Sequence, residues 1–127
     1  MNKIKVSGLI TLALLILGAP LFGHHGTSTS YDQKRVVKVT GIVKEFLWRN
    51  PHSALFVEGK NEAGKAVTYS IEMGSPNPMV KLGYLRNSFK PGDEVIVEMH
   101  PSFTNPASGE CLSCRVWING KEQHPGK

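Results

Sequence analysis

Apolar and polar residues alternate along most of the chain, and one stretch has a helical spacing instead. Val36 to Arg49 begins with Val37, Val39, Gly41 and Val43 on one face, after which the apolar set moves to Phe46 and Trp48. A one-residue change of phase within a strand is the mark of a β-bulge, and Gly41 suits a sharp bend. Asn50-Pro51 ends that strand. Ser53 to Glu58 predicts a second strand, and Gly59 to Gly64 a hairpin loop. Ala66 to Met73 is the most regular stretch, with Val67, Tyr69, Ile71 and Met73 on one face. Ser75-Pro76 reads as a helix cap followed by proline at the first helical position. Met79, Leu82, Leu85 and Phe89 follow at near-helical spacing, weakened by Pro78 and Gly83. Lys90 to Asp93 is a turn, and Glu94 to His100 a fourth strand with Val95, Val97 and Met99 inward. Pro101 to Gly109 reads as a loop, and Leu112 to Ile118 as a fifth strand closed by Asn119-Gly120.

The order β-β-β-α-β-β, with a long bent first strand, predicts a mainly β fold with one short helix. It matches a small five-stranded Greek-key barrel of the oligonucleotide/oligosaccharide-binding (OB-like) kind. An open sheet with the helix across one face is the alternative. The barrel occupies residues 36–120, preceded by a flexible polar segment, 24–35, and followed by a tail, 121–127.

Residues 1–23 have the form of a signal peptide. Lys3 and Lys5 precede an apolar run from Val6 to Leu17, and Gly18-Ala19-Pro20 supplies the small residues before a cleavage site. The run is shorter than the ~20 residues of a membrane span. No cysteine lies near its end for lipid attachment. The mature chain is thus expected to be soluble, periplasmic or secreted, without a stable membrane anchor. Cleavage after Ala19, Phe22 or Gly23 fits, and the last makes His24 the first residue.

Composition narrows the function classes. The 127 residues are 40% hydrophobic, 20% charged and 8% aromatic, which suits one small domain. The formal charge of +5 includes Lys3 and Lys5; without them, thirteen basic residues against ten acidic leave +3. So small and dispersed a charge does not describe a nucleic-acid binder.

Several blocks carry a resemblance. His24-His25, Gly41-Ile42-Val43, Trp48-Arg49-Asn50-Pro51-His52, Glu72-Met73-Gly74-Ser75-Pro76-Asn77 and Lys90-Pro91-Gly92-Asp93-Glu94-Val95 resemble a family of small exported bacterial proteins. Its mature chains begin His-His, carry a Trp-x-Asn-Pro-His block and end with a strand leading into an Asn/Asp-Gly turn. That family has no known function, so the resemblance implies a compartment and a fold but no reaction. Cys111 and Cys114 depart from its pattern.

No arrangement for nucleophilic catalysis appears, and no phosphate-binding glycine loop. Asp93-Glu94 and Glu94/Glu98 read as a solvated strand face. The chain is therefore expected to bind rather than to catalyse. Cys111-Leu112-Ser113-Cys114 is followed by Arg115, not His, which excludes covalent haem attachment. It precedes a strand rather than opening a helix, which argues against a thioredoxin-type pair. A disulfide there needs Cα atoms within about 7 Å. Residues three apart in a strand lie ~10 Å apart, so the bond requires a turn across Gly109 to Cys114 and delays the strand to about Arg115.

Two binding readings remain. Phe46, Trp48, Phe56, Tyr69 and Trp117 either fill the core or line a face for a peptide, a glycan or an exported partner protein. Trp117 is the aromatic most exposed by its phase, with Arg115 beside it. The other reading is a Cu(II) site. If His24 is the first residue, its α-amine and imidazole form a chelate, and His25 adds a nitrogen. Cleavage after Phe22 instead puts His25 third, another tetragonal nitrogen set of the kind Cu(II) or Ni(II) prefers. His52 and His100 are further candidate ligands.

Overall fold

The computed structural model describes residues 29–123. The signal segment, His24, His25 and residues 124–127 lie outside them. Strand β1 spans Val37–Leu47, β2 Ala54–Lys60 and β3 Ala66–Met73, and helix α1 covers Pro76–Lys81. Strands β4, Glu94–Pro101, β5, Ser108–Cys111, β6, Val116–Ile118, and β7, Lys121–Gln123, complete the order. Neighbours run β1-β2-β3-β5-β4, and β1 also pairs with β4, which closes a five-stranded barrel. All its pairings are antiparallel except β3 with β5.

Inward positions follow the alternation. Val39 and Val43 of β1, Leu55 and Val57 of β2, Ile71 and Met73 of β3, and Val95, Val97 and Met99 of β4 are buried. Burial of such apolar surface is the main stabilising term. The register of β1 against β2 shifts between Val43 and Glu45, so the bulge sits at Lys44, where the apolar phase changes. Beyond it Phe46 faces Leu55 across the ladder. Gly41 serves a different purpose. A Cβ there would collide with the Glu58 carbonyl of β2, so only glycine lets β1 bend between its two partners.

Three sequence expectations need correction. The helix stops at Lys81; Leu85 is exposed, and Phe89 reaches the core from the following turns. Ser75 is the N-cap but makes no side-chain capping bond. The fifth barrel strand is Ser108–Cys111, which begins within the segment expected to be loop and ends before the expected strand, and Val116–Ile118 is a separate strand. Both lie along the same edge of β4. His100 faces Glu110, and Val97 faces Val116. Three steps along β4 are matched by six on the other side, so three extra residues bulge out. Cys111 and Cys114 are joined by a disulfide across that bulge, their Cα atoms 5.0 Å apart. Finally, Lys121–Gln123 is no tail. It pairs with β6 through a turn in which Asn119 (φ 48) and Gly120 (φ 78) are both left-handed, as two-residue hairpins require.

Candidate functional site

The outward residues of the barrel bring a polar row together. Ala54 of β2 faces Glu72 of β3, Glu72 faces Glu110 of β5, and Glu110 faces His100 of β4. Two carboxylates in register would repel if left alone. Each instead finds donors from a segment that crosses the sheet. Tyr31 hydroxyl donates to Glu72 Oε2 (2.9 Å), and Gln33 Nε2 donates to Glu110 Oε1 (2.8 Å). The Nδ1–H of His100 donates to the Arg35 carbonyl (2.8 Å). Alternate residues 31, 33 and 35 thus reach β3, β5 and β4 in turn.

Backbone bonds fix this strap. Asp32 N–H donates to the Pro101 carbonyl, Phe103 N–H to the Ser30 carbonyl, and Tyr31 forms an isolated bridge with Ser102. Asp32 Oδ1 accepts from Lys34 N–H, which turns the chain toward β1. Residues 29–35, polar enough to read as linker, are therefore held against the body. Beneath them Glu110 is only 2% exposed. A carboxylate is costly to bury without donors. Glu110 has two, Gln33 Nε2 and the Leu112 N–H (2.9 Å) within the disulfide-closed bulge.

At the β2 end of the row, His52 Nδ1 lies 2.6 Å from Glu72 Oε1. Glu72 therefore holds His52 through one oxygen and Tyr31 through the other. Burial, then the hydrogen bond to Glu72, then the charges of Glu72 and Glu110 push the Tyr31 hydroxyl up to about 12; Ser108 works the other way. A polar pocket of about 220 Å³ opens at this point, bounded by Tyr31, Arg49, His52, Phe56, Ser70 and Ser108, with Ser53, Ala54 and Glu72 completing it. Ser53 is fully buried, and its Oγ has no hydrogen-bond partner.

Residues 13–110 match a family of unknown function (DUF6152). The chain belongs to that family. No curated protein and no solved structure matches it. Membership therefore supplies no reaction, and the site must be judged on its chemistry.

The sequence-predicted residues separate. His24 and His25 lie outside the described residues. His52 lines the pocket, whereas His100 bonds to the strap with Glu72 and Glu110 between them, and among the described residues no three metal-ligating side chains converge. Trp117 stands on another outer face. The Arg115 guanidinium lies 4.7 Å from its ring centroid and Lys38 Nζ 5.6 Å, while Arg115 Nε donates to Glu122 (2.8 Å). Of the other aromatics, Tyr69 is buried, Phe46 and Trp48 pack on the core beside Phe89, and Phe56 borders the pocket. Sequence reasoning missed Tyr31, Arg49, Glu72 and Glu110. Glu72 had one usable signal, its outward phase in the most regular strand. Nothing local marked its partners.

Proposed function

We propose that the chain is an exported, non-catalytic binding module that holds Cu(II) through His24, His25 and His52. The observation that carries this reading is the bond between His52 Nδ1 and Glu72 Oε1. Metal-binding imidazoles usually donate their second N–H to a carboxylate, which fixes the tautomer and frees the other nitrogen for the metal. His52 is held in that way, with Nε2 left to coordinate and its side chain 44% exposed.

The strap supports the same assembly. Tyr31 shares Glu72 with His52. Tyr31 lies six positions after His25, a reach of at most about 20 Å. An N-terminal amine and two or three imidazoles make a nitrogen-rich, tetragonal set suited to Cu(II). His100 stands outside this set, because two strand spacings, ~10 Å, part it from Glu72. A peptide or glycan on the Trp117 face is the weaker reading, since a stacking ligand must first displace Arg115 or Lys38 from the ring.

The test is Cu(II) titration of the correctly processed chain against a competing chelator, beside His24→Ala, His25→Ala and His52→Ala. The wild type binds one Cu(II) tightly, and loss of His24 weakens it most. Equal, weak binding by all four chains would refute the site.

A further inference from the structure

We infer that the barrel mouth where β1, β3 and β5 begin is a binding site for a free α-amino acid with a large apolar side chain. This site is separate from the copper reading. The β2–β3 hairpin, the β4–β5 loop and the end of the strap surround a cavity of about 460 Å³ there. Barrel mouths are common places for small ligands, whose sites run to roughly 300–1,000 Å³. Val37, Val67 and Tyr69, inward residues at the start of β1 and β3, line it, and Ala107 adds an apolar wall. The surrounding loops are tied down without a ligand. Asn61 Oδ1 accepts from the Ala63 and Lys65 N–H groups (3.1 and 2.9 Å), which holds the hairpin loop. Asn105 Oδ1 accepts from the Ala107 N–H (2.9 Å), and the Ala107 carbonyl accepts from the Ser70 N–H of β3. The Arg35 carbonyl accepts from His100. Such preorganisation lowers the ordering cost of binding.

Two exposed charges of opposite sign, Arg35 and Glu62, also line this cavity. Neither forms an ion pair among the described residues. An apolar α-amino acid answers the whole set. Its carboxylate fits the planar fork of the Arg35 guanidinium, and its ammonium group meets the Glu62 carboxylate. Its side chain leaves water for Val37, Val67 and Tyr69. The Tyr69 hydroxyl already donates to the Lys60 carbonyl (3.1 Å), so its ring is left to offer apolar surface. A ligand with a single charge would satisfy only one of Arg35 and Glu62.

The experiment is an NMR titration of the ¹⁵N-labelled processed chain with L-phenylalanine, without added metal because amino acids themselves chelate Cu(II). Phenylpropionate and phenethylamine, each lacking one of the two charged groups, are the controls. Arg35→Gln and Glu62→Gln are titrated beside the wild type; both side chains are exposed, so the variants keep the fold. L-phenylalanine is expected to shift the signals of Val37, Ala63, Val67 and Ala107 saturably. Each control with the wild type, and L-phenylalanine with each variant, should bind about tenfold more weakly. No saturable shift at these residues, a control that binds as tightly as L-phenylalanine, or unchanged affinity in either variant would overturn the site. All of these outcomes leave the copper reading where it stands.

Discussion

Two outer faces of this barrel carry paired charges beside an aromatic ring, and they are built in opposite ways. On the Trp117 face the partners are ladder neighbours in water. Lys38 and Glu98 sit opposite one another on β1 and β4, 3.5 Å apart, and Arg115 meets Glu122 across the β6–β7 hairpin. Both cations are 60% exposed. On the strap-covered face, Tyr31, Gln33 and Arg35 reach partners 41, 77 and 65 residues away, and one of these, Glu110, is buried. The first face is decorated; the second is assembled. Exposed pairs contribute little because water and salt screen them. Buried polar groups raise the stakes, since losing a partner leaves a desolvated group unsatisfied.

The largest expected effect follows from removing the buried carboxylate. Glu110→Ala leaves Gln33 and the Leu112 N–H without their acceptor and should cost about 1–3 kcal/mol in urea unfolding. Hydrogen exchange at residues 31–35 should rise with it. A variant of wild-type stability with a protected strap would show that Glu110 does not hold it.

Tyr31→Phe should cost less, ~1 kcal/mol, by removing one hydrogen bond. It also removes a pH dependence whose sign is fixed. The folded state raises the Tyr31 hydroxyl from 10.0 to about 12, so it favours the neutral phenol. That stabilisation is complete below pH 10 and is lost as pH rises toward 12. Phenolate absorbance and strap exchange should therefore change together above pH 10 in the wild type only. On the opposite face, Arg115→Ala should leave stability almost unchanged, and any small loss should shrink further in high salt. A loss as large as that of Glu110→Ala would erase the contrast between the faces.

The same contrast explains what could be read in the sequence. Strands β3 and β4 alternate cleanly because one side of each is core, and β3 appears with the boundaries its pattern predicts. The phase change in β1 announced a bulge, since a slip of one residue moves every later side chain to the other face. Strand β5 gave no such signal. Ser-Gly-Glu-Cys has no apolar alternation, because a Cβ at Gly109 would run into Met99, and outward-facing Glu110 is buried by a strap rather than by the barrel. Helical spacing beyond Lys81 misled because Leu85 and Phe89 belong to turns, where Phe89 enters the core and Leu85 is exposed. His52 was identifiable by residue type. Its orienting partner Glu72 lies twenty positions on, and only the β2–β3 register brings the two together.

The most direct test of the proposed copper site is paramagnetic broadening in the ¹⁵N-labelled processed chain on adding substoichiometric Cu(II). The expected result is loss of signals from Tyr31, Arg49 to Ala54 and Ser70 to Glu72, with Arg115 and Trp117 retained. Broadening centred on His100 or on the Trp117 face, or none localised at His52, would contradict it.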